Sequence, residues 1–100
     1  MPYTLAYPVH PGEIIREEIL PRFGLNITEA AKRLHTARPG FTNVCNEKSG
    51  VSPELALKIE RAFGYSARRL VTMQATYDLA NVQEVKGDML SSIQRVPEVA

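Results

Sequence analysis

Arg38, Thr42, Asn43, Asn46 and Lys48 lie close together in the chain, and all five side chains make directional polar bonds. Arginine offers a fork of N–H donors matching the two acceptors of guanine, asparagine pairs with the edge of adenine, and threonine, asparagine and lysine bind phosphate oxygens. On a helix, Pro39, Thr42, Asn43 and Asn46 share one face, with Arg38 at its N-terminal edge. Phe41, Val44 and Cys45 recur at i, i+3 and i+4 on the other face. A short helix built this way can read bases and phosphates. The same spacing also describes an ordinary solvated face, so the pattern alone leaves both readings open.

Other chemistry has little to work with. His10, His35 and Cys45 lack the spacing of metal ligands. His10 is expected to set a helix entry and Cys45 to be a small core residue. Glu17-Glu18 reads as a solvated helix face rather than an acid/base pair. Ser91-Ser92 has no histidine nearby in sequence, and there is no glycine-rich phosphate loop. Tyr77-Asp78 is better explained by packing and a polar bond across helices. No catalytic residue, metal or cofactor is expected, and an enzyme is disfavoured.

The chain has 100 residues, one domain's worth, and is 44% hydrophobic and 23% charged, ordinary values for a globular protein. Its net charge is +1, which argues against bulk nonspecific nucleic-acid binding but leaves room for a local patch. Residues 28–50 hold Lys32, Arg33, Arg38 and Lys48 against Glu29 and Glu47, so the small excess falls on the polar segment. One cysteine cannot form an internal disulfide. No apolar run is long enough to span a membrane, and MPYTLAYPVH has neither the basic start nor the apolar stretch of a signal peptide. A cytoplasmic location and no membrane partner are expected.

The elements that must position this face are helical. Residues 1–9, with Pro2 and Pro8, read as an extended arm. A first helix begins near Pro11, carries Ile15, Ile19 and Phe23 at a four-residue spacing, and should end near Leu20 because Pro21 follows. Asn26 with Glu29 is a capping-box start for a second helix whose narrow apolar face is Ala30, Ala31 and Leu34. The third spans about 38 to 46. Ser52-Pro53-Glu54 opens a fourth, running to Phe63 with Leu55, Ile59 and Ala62 inward and Gly64 as its stop. Ser66 caps a fifth over 67 to 85, striped by Leu70, Met73, Tyr77 and Ala80, and Lys86-Gly87 ends it. The expected organisation is an arm (1–9), an all-α domain (10–86) and a tail (87–100).

Two short helices with a tight turn between them form a helix-turn-helix, whose second helix enters the major groove. Ala31 and Phe41 would be the contacts between the two. The stretches HPGEIIREEIL, LNITEAAKRL, GVSPELALKIERAFG and MQATYDLA follow in that order over about residues 10 to 85. Together they resemble the HigA-type (VapI-like) antitoxins of the XRE helix-turn-helix superfamily. The resemblance implies a five-helix, lambda-repressor-like fold, usually dimeric. It also implies a function: neutralising a HigB-type ribonuclease toxin that cuts mRNA, and binding operator DNA to repress the protein's own operon.

On that reading Arg38, Thr42, Asn43, Asn46 and Lys48 contact DNA. Glu13 and Glu17, one turn apart, offer carboxylates to a cationic toxin, with Tyr3 and Tyr7 as anchors. Leu70, Met73, Tyr77 and Ala80 line a homodimer interface, Leu70 replacing an aromatic usual in the family. The stretch from 34 to 50 departs from the family's pattern. His35 and Glu47 stand where glycine is common, Ala37 where a serine cap is usual, and Pro39 where a polar base-reading side chain is frequent. Gly40 weakens the helix further. Two alternatives follow: a stand-alone XRE-type regulator without a toxin, or a toxin-binding module whose DNA-reading head has decayed.

Overall fold

The computed structural model describes residues 8–99 and contains five helices and no strand among them. Tyr3 and Tyr7 lie outside the described residues. The first helix, α1, is continuous over residues 11–23 but changes pitch: Pro11–Ile14 is α-helical, Ile15–Ile19 is π-helical, and Leu20–Phe23 is α-helical again. Then follow α2 (Ile27–Arg33), α3 (Arg38–Cys45), α4 (Pro53–Phe63) and α5 (Ala67–Ser91).

Pro21 does not end α1 at Leu20, as its type predicts. The Leu20 amide donates to the carbonyl of Ile15, five residues back. This wider turn moves the preceding carbonyls away from where a proline ring would collide with them. The extra residue also shifts the apolar phase: Ile15 and Ile19 are buried, Leu20 joins them, and Phe23 rotates to the rim at 46% exposure. There its ring lies 4.9 Å from that of Phe63. Gly24, at φ 65°, then lets the chain turn, and the Leu25 amide returns to the Leu20 carbonyl.

The later helices start where their caps predict. Asn26 Oδ1 accepts from the Glu29 amide at 2.8 Å while Glu29 Oε1 accepts from the Asn26 amide at 3.1 Å. Ser52 and Ser66 each cap through their hydroxyl oxygen. One inward position of α4 differs: Ala56 is fully buried and Ala62 is exposed. The last helix is longer than its Lys86-Gly87 signal suggests. It kinks at Lys86 (φ −120°, ψ 24°) and stays helical to Ser91.

Around one core pack Ile15, Ile19, Ala30, Ala31, Leu34, Phe41, Val44, Leu55, Ile59 and Leu70, each buried. His10 sits at its edge, with Nδ1 accepting from the Gly12 amide at 2.8 Å and its ring edge-on to Tyr77 at 4.9 Å. Asp78, by contrast, bonds along its own helix, accepting from Gln74 Nε2 at 3.0 Å. Gly12 is needed for proximity rather than flexibility. A Cβ built there would sit 2.0 Å from the Val44 carbonyl oxygen. The N-terminus of α1 thus lies directly against the backbone of α3.

Gly12→Ala is therefore expected to lower stability by about 3 kcal/mol, the upper range for forced overpacking. Gly40→Ala, with nothing within 4 Å of its added Cβ, should instead gain up to about 1 kcal/mol of helix propensity. Urea melts of the two variants read this as midpoints moving in opposite directions at similar slope.

Candidate nucleic-acid interface

α2 and α3 are joined by residues 34–37, and the sharpest bend is at His35, whose φ is 52°. A histidine therefore takes the left-handed conformation that glycine adopts without strain. The turn is held by bonds from outside it. Lys58, on α4, donates its ammonium to the His35 carbonyl at 2.9 Å and to Thr36 Oγ1 at 3.2 Å. Thr36 in turn donates to the Leu34 carbonyl, so it does not replace the missing serine cap. α3 begins at Ala37 with no side-chain cap.

The other end of α3 has a second left-handed residue, Glu47, at φ 64°. The Lys48 amide closes this turn onto the Asn43 carbonyl at 2.8 Å. Arg16, reaching over from α1, donates to the Cys45 carbonyl at 2.6 Å and pairs with Glu47 at 3.4 Å. A cation is thus placed on the negative end of the helix. The Glu47 carboxylate faces Arg16 and is not a free negative charge beside the exposed polar face of α3. Hydrogen bonding to Glu17, then to Glu47, raises the pKa of the Arg16 guanidinium. Burial pushes the Cys45 thiol up to about 11 against the opposing pull of Arg16, so it stays a neutral core group. Below the helix, the buried Gln74 of α5 accepts the Val51 amide at 2.9 Å and fixes the following loop.

This frame presents Arg38, Asn43, Asn46 and Lys48 as exposed side chains. Thr42 is set apart: its Oγ1 is shielded from solvent and has no partner among the described residues. Its hydroxyl is therefore not offered outward in this state. Arg38 has one anchor, donating from Nε to Thr28 Oγ1 at 2.9 Å. Sequence reasoning did not identify Thr28, Arg16, Lys58 or Gln74. Each acts across at least ten residues, and no local pattern marks such a partner.

The remaining expected sites lie elsewhere. Glu13 and Glu17 are exposed on α1, with Glu17 bound to Arg16 at 2.9 Å. Glu18 is exposed as well, and both Glu17 and Glu18 lie within the π-helical stretch. Leu70 is 0% exposed within its own chain. It cannot form part of a surface, and Met73, Tyr77 and Ala80 are half-buried beside it. The uncovered apolar side chains of α5 are instead Leu79, Val82, Val85, Met89 and Leu90, with Leu79 at 69%. Among the described residues no cluster of three or more His, Cys, Asp or Glu side chains could hold a metal, and no helix is long and apolar enough to cross a membrane.

No protein-family model matches the chain. It is 37% identical over 91 residues to virulence-associated protein A of Dichelobacter nodosus, covering 90% of this chain and 89% of that protein. Its fold matches the Pseudomonas aeruginosa antitoxin HigA, solved with the higBA promoter, at a TM-score of 0.82 and 30% identity, covering 90% of this chain and 99% of the other. It matches the antitoxin GraA in complex with its operator at a TM-score of 0.80 and 32% identity, over 91% and 93% of the two chains.

The strained turn gives a stability test. A left-handed non-glycine residue costs about 1–2 kcal/mol, and the unfolded-state entropy of glycine returns about half of that. His35→Gly should thus stabilise the fold by about 0.5–1 kcal/mol in urea melts. Glu47→Gly, which also removes the partner of Arg16, should show no such gain.

Proposed function

The chain belongs to the HigA-type (VapI-like) antitoxin family of helix-turn-helix proteins, and on that premise we propose a protein with two partners. It binds operator DNA upstream of its own gene and represses it, and it binds and silences a small, cationic, mRNA-cleaving toxin of the HigB type. The observation that supports DNA reading is the exposed set Arg38, Asn43, Asn46 and Lys48 on an α3 held at both ends. Relatives solved on a promoter and on an operator share this fold. The left-handed turns at His35 and Glu47 are braced by Lys58 and Arg16, while Ala37 leaves α3 without a side-chain cap.

Toxin binding is proposed on the family relationship and on charge. A ribonuclease must hold RNA phosphates with Lys and Arg, so a masking surface needs carboxylates. Glu13, Glu17 and Glu18 supply them on an exposed face of α1. We propose a homodimer contact on the exposed Leu79, Val82 and Met89 of α5 together with the half-buried Met73, Tyr77 and Ala80, and without the buried Leu70. Two-fold pairing would set the reading helices about one DNA turn, roughly 34–36 Å, apart.

The DNA arm is tested by titrating the protein against its own upstream DNA and a scrambled duplex. Equal affinity for both would remove the operator reading. Co-expression with the product of the adjacent small gene tests the toxin arm; continued toxicity without co-purification would end it. Light scattering showing monomer at all concentrations would exclude the dimer. Within the DNA reading, Arg38→Ala should cost about 1–3 kcal/mol and relax the preference at one base pair. Lys48→Ala should weaken all sequences alike and lower the salt slope by about one unit.

A further inference from the structure

We propose that Thr28 is a positioning residue that determines specificity: its hydroxyl holds Arg38 so that the arginine can read guanine through only one of its two edges. This rests on the DNA reading above and adds the residue that orients the reader. Thr28 lies in the first turn of α2 and Arg38 is the first residue of α3. They meet through one bond, Nε–H to Oγ1, at 2.9 Å. Both side chains are exposed and neither belongs to the core, so the fold does not depend on the contact.

A guanidinium has five N–H donors in a rigid plane, and two of its edges carry parallel N–H pairs. The side edge uses Nε and one terminal nitrogen; the end edge uses both terminal nitrogens. With Nε engaged by Thr28, the side edge is closed and the end edge remains. An arginine otherwise loses much rotamer freedom on binding, and an anchored one has lost part of it beforehand. The Thr28 oxygen accepts from Arg38, which leaves its own proton to donate to a phosphate oxygen. One hydroxyl would then tie the protein's register on the backbone to the base that Arg38 reads.

The test compares Thr28→Val, which keeps the shape and removes the hydroxyl, with Thr28→Ser, which keeps the hydroxyl. Each is titrated against the chain's own upstream duplex and against duplexes with single guanine replacements. The readout is the ratio of affinities, which cancels any uniform loss of phosphate contacts. Thr28→Val should lower discrimination at one guanine by about 3- to 10-fold, the range for one lost hydrogen bond, while melting like the wild type. Thr28→Ser should retain it. In the free protein, the Nε–H resonance of Arg38 should be protected from exchange in the wild type and the serine variant, and not in the valine variant.

Wild-type discrimination in Thr28→Val, or an unchanged Nε–H exchange rate, overturns the proposal and leaves the DNA reading standing. Failure of the wild type to distinguish its own upstream DNA overturns the DNA reading itself, and the specificity role with it.

Discussion

The backbone of α1 lies directly on the backbone of α3, and the reading head depends on that approach. Gly12 meets the Val44 carbonyl at a distance no side chain tolerates, and one turn later Arg16 reaches the Cys45 carbonyl. The second contact is possible because of the first. α3 has only eight residues, includes Pro39 and Gly40, and starts without a side-chain cap. A helix this short and poorly capped does not hold itself in water. Its geometry is imposed by neighbours: α1 at its C-terminal end, Lys58 at the turn before it, and Gln74 beneath the loop after it.

These supports explain how the head tolerates residues that look wrong for it. His35 and Glu47 each take a backbone conformation suited to glycine, and each has a compensating cation. Lys58 bonds the carbonyl that the His35 bend exposes, and Arg16 takes both the last carbonyl of α3 and the Glu47 carboxylate. Glu47 thereby stops counting against the basic side of the ledger near DNA. The exposed cations of α3 and the turn after it are then Arg38 and Lys48, part of the small positive excess over residues 28–50 in a chain of net charge +1.

Much of this was legible in the sequence wherever the governing interaction is local. Asn26 with Glu29, Ser52 and Ser66 announce their helices because a cap bonds an amide three residues away. The exposed positions 38, 43 and 46 follow from helical periodicity opposite Phe41, Val44 and Cys45. The π turn was not legible: nothing in IREEI marks it, and it moved Phe23 outward and Leu20 inward. Leu70, at the head of the expected interface stripe, was misplaced for a related reason. A three-and-four spacing identifies an apolar face but not whether that face meets its own chain or another, and Leu70 proves to be core. Thr42 shows the same limit at atomic scale, since periodicity places the residue while its rotamer decides where the hydroxyl points.

The bonds that hold α3 have a kinetic consequence. Arg16 and Glu47 are 31 positions apart, and Val51 and Gln74 are 23 apart. Contacts so distant along the chain form only after the entropy of closing the intervening loops has been lost. α2, α4 and α5 carry their own start signals and can nucleate locally, whereas α3 has nothing to nucleate on. Ordering of α3 is therefore tied to the docking of its neighbours and not to a nucleus of its own. A partly folded chain would be helical in outline yet blind to sequence, and recognition would switch on as a unit once the first and last helices had both docked.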